Sequence, residues 1–596
     1  MDQKTMDKRN RVAQWAFDTS PLLRRFHLWL EDVEVELIRG GQERRLSDSI
    51  SFVDGKMERM FMMTAAVTAL GTQLFGRYGE GRHQDKKGLN QVKKDADAIS
   101  AYAMSESLWY LSRSLPETHA IMVCLGEGLM PKAGETPEMG SNPLLGFGRI
   151  YARPQVARFL ETRVHRLINS TRYVWDDFHR EVSDAGITVW GTAIDTLENT
   201  SRFAQGAATG PMTVLHVFDQ PLCITKPYEG YMGNLVLPHK VVDDAAAQSL
   251  LINFFTPRAL VLQAIRQSYP GIRTENVHVW TLRGKSRESR IGKLWQEWQS
   301  MGVSLVDDGW ELPNRHQAFT ESGTYAPSFQ VGTWQDDSGE IHLFLVDGYA
   351  ASAEGVQAAS LYPILGLDVS LAVFSSTFEL GYDREPLIMS LDPGAPDFGD
   401  RLAAIFEKKL DNRTIELYRT NILQAKTAGI PLQKGVLTAD DFFPRKKWNV
   451  MALSGYMLPD PYTGAPGIRP LGDGTFQVTV RLSTSRGDQR ATFTLRLLEP
   501  LGKSRLIFNP LLNRFLRGED FRERRVTISD SGRIRNELQT LCTEALEHFP
   551  DNGIRLHFRH IPHDVIPPED QVKLREILEW YKANHPIWFR WLELEF

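Results

Sequence analysis

The stretch that decides the fold is residues 277–306, VHVWTLRGKSRESRIGKLWQEWQSMGVSLV. It opens on a short run, residues 277–282, rich in the β-branched and aromatic side chains that suit a strand, and closes on another at 303–306. Between them Ile291, Leu294, Trp295, Trp298 and Met301 recur mostly at steps of three and four, which lines one face of a helix, and Gly302 stands where that helix must end. Strand, helix and strand in this order predict a right-handed crossover between parallel neighbours.

Working outward, residues 119–125 (HAIMVCL), 212–218 (MTVLHVF), 341–346 (IHLFLV) and 367–374 (LDVSLAVF) have the same texture. Their continuous apolar character predicts strands covered on both faces. The Ala-rich residues 350–361, stopped by Pro363, supply a second crossover helix. The expected fold class is therefore α/β, with a largely parallel central sheet flanked by helices.

A chain of 596 residues exceeds what one core normally supports. Residues 1–115 read as a helical N-terminal layer, with helices at 12–37, 57–74 and 96–111 and an exposed charged loop at 76–94. Residues 116–430 hold the parallel sheet, braced by one long amphipathic helix over 154–183. Residues 431–596 read as a smaller C-terminal α+β domain, entered through a Pro- and Gly-rich segment at 444–474. In it, residues 476–484 and 490–497 alternate around SRGDQ as an antiparallel hairpin should, 534–548 and 570–581 read as helices, and 554–561 and 587–596 as extended.

Lys plus Arg number 69 against 74 Asp plus Glu, so the chain carries no general attraction for nucleic acid or anionic lipid, and neither partner is expected. The three cysteines, Cys124, Cys223 and Cys542, fit no disulfide framework and no four-thiolate zinc site, which points to a reducing, cytoplasmic setting. The N-terminus lacks the order of a secretory signal. The longest uncharged run, residues 60–76, is interrupted by Thr64, Thr68, Thr72 and Gln73 and reads as a buried helix, so no membrane span is expected.

In an open parallel sheet, ligands settle beyond the carboxyl ends of the strands, so chemistry is sought there. Residues 283–290 (RGKSRESR) pass from a strand directly into a helix. Backbone N–H groups and the positive helix end would combine there with Arg283, Lys285, Arg287 and Arg290 to hold a phosphate or carboxylate. The spacing is neither that of a P-loop nor of a dinucleotide fingerprint, and a solvated basic loop pairing with Glu288 is the plainer reading.

Asp307, Asp308 and Asp347 occur in the similar strings LVDDGW and LVDGYA. As strand-end carboxylates they would move protons, and Asp308 and Asp347 would hold Mg²⁺ beside a bound phosphate; Asp-Gly is equally a common turn. Glu127 or Asp219 would complete the site. His557, His560 and His563 are spaced so that the first two fall on opposite faces of a strand, which disfavours a metal site. His119, His216, His278 and His342 read as core or sheet-edge groups.

The expectation is an enzyme acting on a small anionic, phosphorylated metabolite, with Mg²⁺ as its cofactor. The alternative is a non-catalytic binding or self-assembling protein. Its interface, and the homo-oligomer expected on either reading, would use the ring-rich C-terminus with Trp580, Tyr581, Trp588, Phe589 and Trp591.

Overall fold

The computed structural model describes residues 28–40, 55–126, 145–170, 172–223, 231–252, 254–320, 323–351, 367–373, 385–427, 448–472, 474–484, 487–497, 523–528, 555–560, 576, 579 and 593–595. It begins with a strand, β1 (Leu28–Gly40), where the end of a helix was expected. Val33, Val35 and Ile38 favour extended backbone, and Leu28, Leu30 and Val33 are buried. A bulge between Leu30 and Asp32 restores Val33 to the buried side.

In chain order follow α1 (Gly55–Phe75), α2 (Lys86–Ser114), β2 (His119–Gly126), β3 (Ile150–Ala152), α3 (Pro154–Asn169), α4 (Trp175–Asp184), β4 (Thr188–Glu198), α5 (Thr200–Ala204) and β5 (Met212–Phe218). Next come β6 (Tyr231–Pro238), α6 (His239–Ala247), α7 (Arg258–Ser268), β7 (Val277–Trp280), α8 (Lys285–Ser300), β8 (Ser304–Leu305), α9 (Tyr325–Ser328), β9 (Gly332–Gln335) and β10 (Ile341–Ala351). The remainder comprises β11 (Leu367–Val373), α10 (Glu385–Ser390), α11 (Phe398–Phe406), α12 (Asn412–Thr427), β12 (Val450–Tyr456), β13 (Arg469–Gly472), β14 (Thr475–Thr484), β15 (Gly487–Leu497), β16 (Glu523–Ile528), β17 (Arg555–His560) and β18 (Glu593–Glu595).

The chain is mixed α/β, and the expectation of a largely parallel central sheet needs correction. Among the described residues nine strands form a first sheet, in the order β1-β15-β14-β12-β5-β4-β2-β3 with β13 against β14. Among these described strands only β2 and β4 run parallel. A second sheet, β11-β6-β10-β7-β8 with β9 against β10, has a parallel block made of β10, β7 and β8. In the third, β16, β17 and β18 are parallel.

The physical reason is that apolar runs report coverage on both faces, not the direction of a neighbour. β4 enters between β2 and β5 and reverses one against the other, while β6 enters between β10 and β11. Residues 350 and 351 belong to β10 rather than to a crossover helix, and 352–366 lie outside the described residues.

The long helix expected over 154–183 is two helices. Asp177 accepts a hydrogen bond from the amide of Val174 and starts α4 afresh, and Glu181 reaches back to Arg163 and Arg166, both at 3.0 Å. The segment at 76–94 is less loop than expected. Asp85 caps α2, and Arg82 donates to the carbonyls of Gln205 and Gly206. The hairpin of β14 and β15 forms as expected, but β12 lies inside the segment read as a boundary loop.

Two cores result. One lies between α1, α2 and a face of the first sheet, where Met63, Val67, Leu108, Val217, Leu453 and Phe493 meet. The other joins the opposite face of that sheet to the second sheet and to α3, α4, α7 and α8. The first sheet thus takes strands from all three sequence segments, at 28–40, 119–218 and 450–497. No helix among the described residues is long and apolar enough to cross a membrane. Glu127 and the aromatic residues from Trp580 to Trp591 lie outside the described residues.

Candidate functional site at the exits of β7 and β8

After Trp280 the chain turns through Thr281, Leu282, Arg283 and Gly284 into α8. Gly284 has φ 117°, a conformation open to glycine alone without strain, and its carbonyl accepts the Arg287 amide at 2.8 Å to start the helix. Trp295, one face of that helix, donates its indole N–H to Thr281 Oγ1 at 3.3 Å, and the Arg283 guanidinium lies 5.9 Å from the Trp295 ring centre.

Parallel pairing of β7 with β8 sets their exits side by side, and Val306 donates its amide to the carbonyl of Val279 at 2.9 Å. Arg283 then forms an ion pair with Asp307. Asp308 Oδ1 accepts from the amide of Thr320 at 2.6 Å and from its hydroxyl at 2.8 Å, while the Thr320 carbonyl accepts the Arg283 amide at 3.0 Å. Three residues predicted to share a rim, Arg283, Asp307 and Asp308, therefore come together. Thr320, which no motif singles out, clasps the two exits. Arg287 stands in the first turn of α8; Lys285 and Arg290 belong to the same helix, and their side chains are outside the described residues.

Asp347 does not join them. It lies inside β10, not at its end, and is fully buried. Arg258 Nε and Nη2 donate to its two oxygens at 2.6 and 2.9 Å, and Trp298 Nε1 donates at 2.7 Å. Arg258 Nη1 is spent on the carbonyls of Phe254 and Thr256 at 2.7 and 2.6 Å. A carboxylate so enclosed joins α7 and α8 to the sheet, whereas Asp308 stands on an exposed loop, so the two have no common ion to hold. Asp219 is likewise elsewhere: it follows β5 in the first sheet and accepts from the amide and side chain of Asn449 at 3.1 and 2.7 Å.

The opposite face of the second sheet carries a cluster of rings that includes two histidines expected only as core or sheet-edge groups. His278 on β7 and His342 on β10 lie edge to edge with near-parallel rings and centres 5.3 Å apart, and His278 Nε2 lies 2.9 Å from His342 Nδ1. Trp334 stacks on His278 at 5.6 Å, and Trp310 lies tilted against it at 4.8 Å. Burial beneath these rings, helped by the neighbouring His342, lowers the His278 imidazole to about 4. Alternation along β10 sets His342 on the side opposite to Asp347, but only the pairing of β7 with β10, His278 opposite Phe344, brings His278 to the same side.

A third histidine, His216 on β5, is buried between the sheets, where Tyr325 Oη lies 3.2 Å from its Nε2 and accepts from Ser454 Oγ at 3.2 Å. Burial alone lowers His216 to about 3; burial, helped by the neighbouring Tyr456 and Asp488, raises the Tyr325 phenol.

No family model and no curated protein matches this chain.

Proposed function

We propose that the chain is an enzyme that binds a small anionic, phosphate- or carboxylate-bearing metabolite at the exits of β7 and β8. The observation that carries this reading is the joining of Arg283 to Asp307 and, through Thr320, to Asp308, immediately before the N-terminus of α8. An incoming anion would take the Arg283 guanidinium from Asp307 and meet the first-turn amides of α8, with Arg287 alongside. Asp307, so released, and Asp308 would then serve a proton transfer or share Mg²⁺ with the anion's oxygens. Asp347 has no part in this reading. The unpaired thiols Cys124 and Cys223 suit a reducing, cytoplasmic setting.

The test is calorimetric titration with inorganic phosphate and pyrophosphate, with and without Mg²⁺. Arg283→Glu with Arg287→Glu should weaken binding at least tenfold, and Asp308→Asn should abolish any gain from Mg²⁺. Equal affinity in the wild type and the double reversal would remove the assignment.

A further inference from the structure

We propose that Asp336, Glu340 and His342 form a binding site for one divalent transition-metal ion, of the Zn²⁺ or Mn²⁺ kind, at the turn between β9 and β10. This site is separate from the anion site and does not depend on it. One ligand atom from each residue lies within 4.8 Å of the others. An ion with bonds of about 2.1 Å in tetrahedral array needs ligand atoms about 3.4 Å apart. His342 Nε2 and Asp336 Oδ2 already stand 3.4 Å from each other.

The surroundings fix each ligand. Asp336 Oδ1 accepts from the Ser338 amide at 3.0 Å, the Ser338 hydroxyl at 2.7 Å and the Glu340 amide at 2.9 Å, which turns Oδ2 toward the imidazole. Glu340 accepts from Asn276 Nδ2 at 3.0 Å and from Arg273 Nη1 at 2.8 Å. Arg273 is the one cation paired with the cluster among the described residues, and it is exposed and held also by Glu275 at 2.7 Å, so it can yield one carboxylate oxygen without losing its partner.

The in-plane contact with His278 and the stacking on Trp334 set the ring plane of His342. With His342 Nδ1–H donating to His278 Nε2, the His342 Nε2 lone pair faces the carboxylates. This is the arrangement by which a metal-bound histidine is oriented by a neighbour behind it. One imidazole with two carboxylates suits Zn²⁺ or Mn²⁺ better than Mg²⁺, which prefers oxygen and retained water. The exposed side of Asp336 leaves room for water to complete the shell.

The experiment uses the full chain, stripped with chelator and dialysed against ZnCl₂ or MnCl₂. One equivalent should bind, and His342→Gln, Asp336→Asn and Glu340→Gln should each weaken it at least tenfold while circular dichroism stays unchanged. His278→Gln, which removes only the orienting ring, should weaken it by about 10- to 100-fold. Bound Mn²⁺ should show nitrogen modulation in pulsed electron paramagnetic resonance, lost in His342→Gln. Equal metal uptake by wild type and His342→Gln, no uptake by either, or Mn²⁺ without a nitrogen signal would overturn the proposal.

Discussion

Single residues in this chain are set by what lies across a sheet or against a helix, not by their place in a sequence motif. Asp347 illustrates this: LVDGYA reads like a strand exit, yet β10 runs on to Ala351 and the carboxylate turns inward with Leu343 and Leu345. A buried carboxylate needs a cation with spare donors, and Arg258, 89 positions away, supplies it. No local pattern announces that partner. His216 makes a similar case with a consequence for pH. Its folded value of about 3 lies below the ordinary 6.5, so above pH 6.5 the imidazole is neutral in both states and contributes nothing to the pH dependence. As pH falls below 6.5 the unfolded chain gains a proton that the folded chain refuses, and stability drops until about pH 3. Between pH 6.5 and 5 this group alone should remove about 2 kcal/mol, read as a lower urea midpoint. His216→Gln should flatten that slope; an unchanged slope would assign the acid sensitivity elsewhere.

Among elements, the legible ones carried their period in their own residues. The alternation of β14 and β15 and the one-sided apolar stripe of α8 are read directly from sequence, as are the apolar runs that became β2, β5, β7 and β10. Which strands neighbour one another was not legible, because pairing between residues hundreds of positions apart leaves no local trace. The central strand β12 was missed because Gly455 and the Pro-rich continuation look like a loop. Gly455 is there for proximity: a Cβ at that position would lie 2.6 Å from the carbonyl oxygen of Ala65 and 3.2 Å from the Ala69 methyl on α1. Gly455→Val should therefore push α1 off the sheet and cost about 1–3 kcal/mol, measured by chemical denaturation. A variant as stable as the parent would mean that α1 does not sit this close. The rim of Arg283, Asp307 and Asp308 was legible for the same reason as α8: strand, helix and strand follow one another in the chain. Thr320 and the pairing of the two histidines were not, since each depends on a fold-back that only the assembled sheet creates.

At the scale of the whole molecule, the segments expected from the sequence, 1–115, 116–430 and 431–596, each contribute strands to the first sheet. β5 pairs with β12 over the full length of both, from Met212 opposite Tyr456 to Phe218 opposite Val450. A fragment of residues 116–430 made alone would expose that entire edge of β5 and lose the cover of α1 and α2. It should be aggregation-prone and give a poorly dispersed amide spectrum; a sharp, dispersed spectrum would show that the segment folds by itself.

β1 carries the weaving furthest, since Leu28 lies opposite Leu497 and Gly40 opposite Gly487. On a ribosome adding about 5–20 residues per second, roughly 20–90 s separate the emergence of the two partners. During that interval the newly made β1 segment has an apolar side and no mate, which makes it a natural client for holding chaperones and delays closure of the sheet until β15 has been made.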